Sequence, residues 1–219
     1  MGEKRQARQG ADVLLQEEPL RFQTRKQVGL LGGNFNPVHL AHLVMADQVQ
    51  NQLGLDKVYL MPTYFPPHVD EKKTISSEHR LAMLELAVAD NPCLDIEPIE
   101  LIRKGKSYTY DTMKALKEAN PDTDYYFIIG GDMVEYLPKW HRIDDLLHLV
   151  QFVGIRRPNY PTESTYPIIW VDVPQMAISS TLIRQKVKSG CSTRYLLPEN
   201  VINYIQEKGL YQDELDNKL

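Results

Sequence analysis

Two histidines follow a pair of glycines at the start of a predicted helix, and their type and spacing suit chemistry on phosphate. His39 and His42 are three residues apart, so their side chains lie on one face of the opening turns. Asn36 and Pro37 precede them and favour a helix start, with Asn36 as the N-cap and Pro37 as the first helical residue. A helix N-terminus presents free N–H groups, and imidazoles donate further hydrogen bonds to phosphate oxygens. The segment therefore predicts a phosphate site able to stabilise charge in a transition state.

Other interpretations of the histidines are weaker. Zinc ligation lacks support, because no further His, Cys or acidic signature completes a ligand set nearby. An ordinary strand-to-helix turn would suit one histidine, but not two of them beside Gly32, Gly33 and an N-cap. The segment is also neither a Walker loop nor a G-x-G-x-x-G dinucleotide fingerprint.

A second helix start of the phosphate-binding type lies far along the chain. Ser179 or Ser180 caps a helix predicted over 180–188. The N–H groups of that helix, the serine hydroxyls and Arg184 can hold a polyphosphate. By itself this segment would indicate only a capped helix.

Alternating strands and helices must position these segments. Strands are predicted at 28–31, 58–61, 94–96, 125–129, 150–155 and 168–171. Helices are predicted at 37–53, 77–89, 109–119, 180–188 and 198–208. Much of the apolar face of the helix over 77–89 comes from Leu81, Leu84, Leu86 and Val88. The alternation predicts an α/β fold with βαβ units and a mainly parallel sheet. Ligands should then bind beyond the carboxyl ends of strands, after Leu31, Met61, Ile129 and Ile155.

Composition and charge narrow the class of protein. The chain has 219 residues with 25 Lys and Arg against 29 Asp and Glu, a net charge of −4 that argues against a dedicated nucleic-acid binder. The longest apolar run, residues 125–129, is far shorter than the roughly 20 residues of a membrane helix. No signal peptide is visible, and Cys93 and Cys191 are too few for a disulfide framework. We therefore expect a cytoplasmic protein with neither nucleic acid nor membrane as a partner.

Three segments are predicted along the chain. Residues 1–27 are polar and predict a flexible N-terminal extension, residues 28–211 form one domain, and residues 212–219 form a short acidic tail. The domain itself carries the negative charge, so attraction for phosphate must be local. We expect it to come from the helix N-termini, His39, His42, Arg184 and a bound Mg²⁺ ion.

The two phosphate-type segments resemble the signatures of a known superfamily. Residues 32–42 are similar to the G-G-x-F-D-P-x-H-x-G-H signature of nucleotidyltransferases related to class I aminoacyl-tRNA synthetases, and residues 178–184 match its I-S-S-T-x-I-R signature. Further stretches resemble bacterial nicotinate-nucleotide adenylyltransferases: 66–68, 107–112, 129–133, 137–140 and 156–158. The resemblance covers about residues 28–211 and implies a Rossmann-like fold with helices on both faces of the sheet.

The resemblance also implies a reaction, in which ATP and nicotinate mononucleotide give deamido-NAD and pyrophosphate in NAD biosynthesis. Mg²⁺ would enter with ATP, and no protein residue is assigned as a metal ligand. The phosphate of the mononucleotide is already a nucleophile, so the reaction requires neither a base nor a covalent intermediate. Catalysis then consists of alignment and charge stabilisation around the α-phosphate.

Family roles carry over to matching positions of this sequence. The resemblance assigns catalysis to His39, His42 and Arg184. It assigns ATP binding to Gly32, Gly33, Phe35, His39, His42, Gly130, Asp132, Ile178, Ser179, Ser180 and Arg184. It assigns binding of the nicotinate nucleotide to Asn34, Thr109, Lys139, Trp140, His141 and Arg157.

Three of these positions have specific roles and simpler alternatives. Asp132 would accept the adenosine ribose hydroxyls, although Asp after two glycines is common in turns. Trp140 would stack on the pyridine ring, or it could fill a loop against the core. Thr109 and nearby N–H groups would receive the nicotinate carboxylate, or Thr109 could simply cap its helix.

Several positions depart from the family pattern. Asn34 replaces a small hydroxyl residue, Asn36 an Asp and Ala41 a Gly, while Val69 stands where Lys is frequent. Val69 lies in a Pro-rich loop, residues 62–76, that we expect to act as a mobile lid. None of these changes removes a residue that the mechanism needs.

Two alternative functions remain open. A sibling nucleotidyltransferase would use nicotinamide mononucleotide or phosphopantetheine as the acceptor, against which the Thr109 and Trp140 stretches argue. A nucleotide-sensing protein without catalysis would use the same pocket, and the retained His39, His42 and Arg184 argue against it. The sequence leaves a homo-oligomer open.

Overall fold

Six parallel strands form one sheet in the computed structural model, which describes residues 25–65, 74–156 and 163–212. The strands are β1 (Lys26–Gly33), β2 (Lys57–Pro62), β3 (Leu94–Ile96), β4 (Thr123–Gly130), β5 (Val150–Ile155) and β6 (Ile168–Val171). Their order in the sheet is β3-β2-β1-β4-β5-β6, and every pair of neighbours is parallel. The order reverses direction between β1 and β4, where Leu31 lies beside Ile128. In open α/β sheets such a reversal opens a crevice at the carboxyl ends of the strands.

Eight α-helices and one short 3₁₀ helix connect or cover the strands within the described residues. The helices are α1 (Leu40–Leu53), α2 (Ser77–Val88), α3 (Ile99–Arg103), α4 (Thr109–Ala119), α5 (Gly131–Val134), α6 (Ile143–Leu146), α7 (Ser180–Lys188) and α8 (Glu199–Glu207). The 3₁₀ helix spans Leu137–Lys139. Among these helices, none has the length and apolar character required to cross a membrane.

Two hydrophobic cores lie on opposite faces of the sheet. Side chains alternate along each strand, so Ile128 enters one core and the adjacent Phe127 enters the other. Helices α1, α2, α7 and α8 cover the first face, and α4, α5 and α6 cover the second. This arrangement confirms the predicted Rossmann-like α/β fold with helices on both faces of a parallel sheet.

The predicted start of the first helix is wrong. Helix α1 begins at Leu40, with His39 as its N-cap, whereas the sequence predicted Asn36 as the N-cap and Pro37 as the first helical residue. The side chain of Asn36 cannot cap the helix, because its Oδ1 accepts a hydrogen bond from the Tyr211 hydroxyl at 2.8 Å. Residues 36–37 instead form a turn between β1 and α1.

In helix α2 the buried side chains differ in part from those predicted. Leu84 and Val88 are buried as expected, but Leu81 and Leu86 are only half-buried. Arg80 takes a central place instead, since only 2% of it is exposed. The helices α3, α5 and α6 were not predicted, because four or five residues carry too little periodicity to identify a helix.

The predicted flexible extension is wrong at its end, because residues 26–27 belong to β1. The rest of this prediction stays untested, since residues 1–24 lie outside the described residues. The same is true of residues 213–219 in the predicted tail and of residues 66–73, including Val69, in the predicted lid.

Candidate active site

The turn after β1 is built around a buried aromatic ring. Phe35 is buried with a positive φ of 46°, and its ring lies against the backbone of Gly33. A Cβ atom at Gly33 would lie 2.9 Å from Cζ of Phe35, which is too close, so this position requires glycine. The ring of Phe35 also contacts His42 edge-on, with 4.9 Å between the ring centroids. Phe35 thus supports the turn from beneath.

The two histidines form a stacked pair at the N-terminus of α1. His39 is the N-cap, and its ring lies 3.6 Å from that of His42 with 19° between the planes. The backbone N–H of His39 donates to Nδ1 of His42 at 3.3 Å. Because Nδ1 accepts this bond, the neutral His42 ring carries its proton on Nε2. His42 therefore offers an Nε2–H donor, and it lines the main cavity at the sheet edge.

His39 has a different electrostatic character. Only 5% of it is exposed, and burial lowers the pKa of its imidazole to about 4. Its Nδ1 atom is buried without a hydrogen-bond partner among the described residues. His39 is therefore neutral at pH 7.

A cavity of about 450 Å³ opens where the strand order reverses. Its walls include the last residues of β1 and β4 and the N-terminus of α4. Thr109 is the first residue of α4, and Tyr108 is its N-cap, so the alternative in which Thr109 caps the helix is wrong. Thr109 places the N-terminus of this eleven-residue helix at the cavity wall, and a helix N-terminus favours an anion.

Trp140 lies between the aromatic core and the cavity. Its ring makes edge-to-face contacts with Phe127 and Phe152, with centroid distances of 5.8 Å and 5.9 Å. It also lines the cavity, beside His141, whose ring lies 4.7 Å from that of Tyr108. Nε1 of Trp140 is buried without a hydrogen-bond partner among the described residues. Trp140 thus fills the core and presents an aromatic surface to the cavity.

The second predicted phosphate segment holds the first one in place. Ser180 Oγ donates to the carbonyl oxygen of Pro37 at 2.8 Å. Arg184 Nη1 donates to the carbonyl oxygen of Asn36 at 2.7 Å. Ser179 is the N-cap of α7, as one of the two predicted alternatives. The two signatures, far apart along the chain, are therefore joined directly by hydrogen bonds.

Carboxyl groups near the cavity are few. Asp132 and Glu100 line it, and only 4% of Glu100 is exposed. Burial raises the pKa of Glu100 above its usual range, and a hydrogen bond from the Thr112 hydroxyl opposes this shift. No group of three His, Cys, Asp or Glu side chains that could hold a metal occurs in residues 25–65, 74–156 and 163–212.

Comparison with known proteins agrees with this geometry. The model of the cytidylyltransferase-like family matches residues 30–186. A Streptococcus mutans protein named "Probable nicotinate-nucleotide adenylyltransferase" is 62% identical over 196 residues, which cover 90% of this chain and 93% of that protein. The chain belongs to the nicotinate-nucleotide adenylyltransferase family. A Streptococcus pneumoniae serotype 4 protein of the same name is also 62% identical, over 89% of this chain and 93% of its own.

Solved structures support the fold of this adenylyltransferase family member. Plasmodium falciparum nicotinic acid mononucleotide adenylyltransferase, complexed with NaAD, superposes with a TM-score of 0.73 at 20% sequence identity. The match covers 87% of this chain and 100% of that chain. At this identity the likeness establishes the shared Rossmann-like architecture alone.

The structure brings together about half of the predicted site residues. Those lining the cavity are Gly32, Gly33, Asn34, His42, Thr109, Gly130, Asp132, Trp140 and His141. Those outside its lining are Phe35, His39, Lys139, Ile178, Ser179, Ser180 and Arg184. Arg157 lies outside the described residues. The roles assigned to all of these residues in this adenylyltransferase remain predictions.

Four polar residues at the site were not predicted from the sequence. Thr63, Ser107 and Glu100 line the cavity, and Arg80 contacts the turn after β1. The rule that ligands bind after strand ends could have identified Thr63, which follows β2 directly. Ser107 was within a segment of family resemblance but received no role. Nothing in the sequence distinguishes Glu100 or Arg80 from ordinary surface residues.

The lowered pKa of His39 predicts how stability responds to acid. The pKa of its imidazole is about 4 in the folded protein against an ordinary value of 6.5, so the unfolded chain binds the proton more readily as pH falls. Stability from the neutral buried ring is present above pH 6.5 and is lost between pH 6.5 and 4. We expect this loss to reach about 3 kcal/mol at pH 4.

Denaturant unfolding of the wild type and of His39→Asn tests this prediction. Between pH 7 and pH 4 the wild type should lose about 3 kcal/mol more stability than the variant, because carboxyl groups titrate equally in both. Equal losses in the two proteins would contradict a depressed His39 pKa.

Proposed function

We propose that the protein transfers the adenylyl group of ATP to nicotinate mononucleotide, giving deamido-NAD and pyrophosphate in NAD biosynthesis. One observation carries the proposal. A histidine donor, a helix N-terminus and a tryptophan ring line the same cavity at the reversal of strand order, at His42, Thr109 and Trp140. Family membership and relatives at 62% identity support the same reaction.

His42 is the residue we place at the reacting phosphate. Its Nε2–H, fixed by the bond between Nδ1 and the His39 N–H, can donate to an oxygen of the α-phosphate. His39 then acts as a neutral support that fixes the ring of His42 by stacking and by this hydrogen bond. A phosphate oxygen of the mononucleotide attacks the α-phosphorus of ATP, and the bond from that phosphorus to pyrophosphate breaks. Since the attacking phosphate is already ionised, no protein base takes a proton.

Ser179, Ser180 and Arg184 are assigned to the polyphosphate end. Arg184 already donates from Nη1 to Asn36, and Nη2 donates to Oγ1 of Thr181 at 3.2 Å. A guanidinium has five donors, so further N–H groups stay available for phosphate oxygens. Mg²⁺ would neutralise charge on the ATP phosphates, and such ions are bound largely by phosphate oxygens and water.

The N-terminus of α4 supports the choice of an acidic acceptor. The carboxylate of the nicotinate ring would accept hydrogen bonds from the N-terminus of α4 and from the Thr109 hydroxyl. Trp140 would contact the ring itself. A helix N-terminus stabilises an anion by about 0.3–2 kcal/mol, an advantage that a neutral carboxamide does not share. Asp132, in α5 directly after β4, is assigned to the adenosine ribose hydroxyls.

Pyrophosphate release tests the proposal directly. Purified protein is incubated with ATP and Mg²⁺ and with either nicotinate or nicotinamide mononucleotide. We expect release with the acid, and kcat/KM higher than with the amide by about tenfold. Chelation of Mg²⁺ should abolish the signal. Binding of nucleotides without release would favour the sensing alternative, and equal rates with both acceptors would remove the acid selectivity.

The reaction also fits the predicted cytoplasmic location. Fractionation of the native cells, followed by the same pyrophosphate assay on each fraction, tests the location.

A further inference from the structure

Arg80 is a buried cation beneath the turn that follows β1. It lies on α2 with 2% of its surface exposed, and it is among the largest fully buried side chains. Burial lowers the pKa of its guanidinium, although arginine remains charged in proteins. No carboxylate within the described ranges forms an ion pair with it, and its Nε is buried without a hydrogen-bond partner. A buried charge without an ion-pair partner is unfavourable for folding alone.

The hydrogen bonds of Arg80 connect two strand ends that border the cavity. Nη1 donates to the carbonyl oxygen of Asn34 at 2.9 Å and to that of Thr63 at 2.8 Å. It also lies 3.2 Å from Oδ1 of the Asn34 side chain. Asn34 follows β1 and Thr63 follows β2, and both residues line the cavity. Arg80 therefore fixes both the backbone and the side chain of Asn34.

This contact determines which way the Asn34 amide faces. A guanidinium carries only donors, so the atom of the amide that faces it must be the oxygen. The Thr74 hydroxyl donates to the same oxygen at 3.5 Å. Because Oδ1 is committed to these donors, the Nδ2 amino group is the part of Asn34 left to donate into the cavity.

We propose that Arg80 is a positioning residue that holds the Asn34 amide with its amino group toward the phosphate of the acceptor nucleotide. The inference rests on the proposed function, in which that phosphate attacks the α-phosphate held by His42, whose ring contacts Phe35 of the turn after β1. It gives the buried charge a role that neither the helix pattern nor the resemblance assigned. Asn34 stands where a small hydroxyl residue is usual in the family. With its amide held in this way, Asn34 offers a hydrogen-bond donor at the same place.

A double-mutant cycle tests whether Arg80 acts through Asn34. Asn34→Ala removes the donor, and Arg80→Lys places an ammonium one bond short of Nη1. We expect each single variant to raise KM for nicotinate mononucleotide about tenfold with little change in kcat, since the contact serves ground state and transition state alike. The double variant should be no worse than Asn34→Ala alone. Effects that multiply to about a hundredfold, or an unchanged KM in either single variant, would overturn the proposal.

Asn34→Asp keeps the proposal testable if Arg80→Lys does not fold. The aspartate retains an oxygen facing Arg80, so the thermal unfolding midpoint of the variant should equal or exceed that of the wild type. KM for the mononucleotide should rise at least tenfold, because the amino donor is lost. An unchanged KM would again overturn the proposal. A Tm drop together with a raised KM would overturn it too, since loss of fold would then explain both.

Two controls separate this inference from the proposed function. Arg25→Lys alters an exposed arginine that pairs with Asp124 at 2.8 Å, at the opposite end of β1, and should leave KM unchanged. Wild-type turnover is measured first. A wild type that does not use nicotinate mononucleotide defeats the proposed function, whereas an active wild type with unaffected variants defeats only the role of Arg80.

Discussion

Replacing His42 by alanine is expected to lower kcat by about 10²–10³-fold while the protein stays folded, as for loss of one donor to a developing oxyanion. The structure gives this expectation a particular atom. Nδ1 of His42 accepts from the His39 N–H at 3.3 Å, so the ring can direct only Nε2–H toward a ligand in the cavity. His42 is half-buried at the helix start, and its removal leaves the cores on either face of the sheet intact.

Steady-state pyrophosphate release measures the change in kcat. Thermal unfolding of the same variant shows whether it is folded. His42→Gln should retain more activity than His42→Ala, because a glutamine amide nitrogen can occupy a position close to that of Nε2. His148→Ala removes an exposed imidazole outside the cavity lining and should leave kcat unchanged. A folded His42→Ala protein with wild-type kcat would remove His42 from the mechanism.

The sheet could be predicted because its signal is local. The strands β5 and β6 have the predicted bounds, since runs such as 150–155 are mostly apolar and end before a charged residue, here Arg156. Parallel order follows from helices that separate the strands. In parallel sheets of this kind, ligands bind at the carboxyl ends of the strands, and the cavity lies at that end of the sheet.

The start of α1 could not be predicted, because distant residues decide it. Asn36 has a strong N-cap preference, but 3% exposure and the bond from Tyr211 commit its side chain elsewhere. Tyr211 lies beyond the end of α8, far along the chain. A local preference of about 1 kcal/mol is readily overridden by such a buried contact.

Charge was the least predictable property of the site. The sequence predicts that both histidines attract phosphate locally but gives no sign of their charge, whereas burial lowers the pKa of His39 to about 4 and leaves that ring neutral. The buried positive charge comes instead from Arg80, on a helix where an arginine would ordinarily face solvent. Two of its three hydrogen-bond acceptors are the backbone carbonyl oxygens of Asn34 and Thr63, and backbone carbonyl groups leave no mark in a sequence.

Replacing Arg184 by alanine is expected to lower kcat/KM at least 100-fold and to destabilise the fold by about 1.5–3 kcal/mol. The two effects have separate origins. The loss of stability comes from the 2.7 Å bond to the Asn36 carbonyl, which would lose a charged donor. The loss of activity comes from the guanidinium donors assigned to the polyphosphate. Arg184→Lys should recover part of the stability but little activity, because one ammonium cannot replace a planar fork that serves two partners.

Tyr211→Phe is the matched control for the structural part of this effect. It removes the 2.8 Å bond from the Tyr211 hydroxyl to Oδ1 of Asn36, leaving a buried acceptor unsatisfied at about 1–3 kcal/mol. Both variants thus loosen Asn36 by similar amounts, but only Arg184→Ala removes a positive charge from the site. Unfolding experiments and pyrophosphate release should show comparable destabilisation and very different kcat/KM. If the two variants lose activity equally, Arg184 only anchors the turn before α1, and phosphate must be held by other groups.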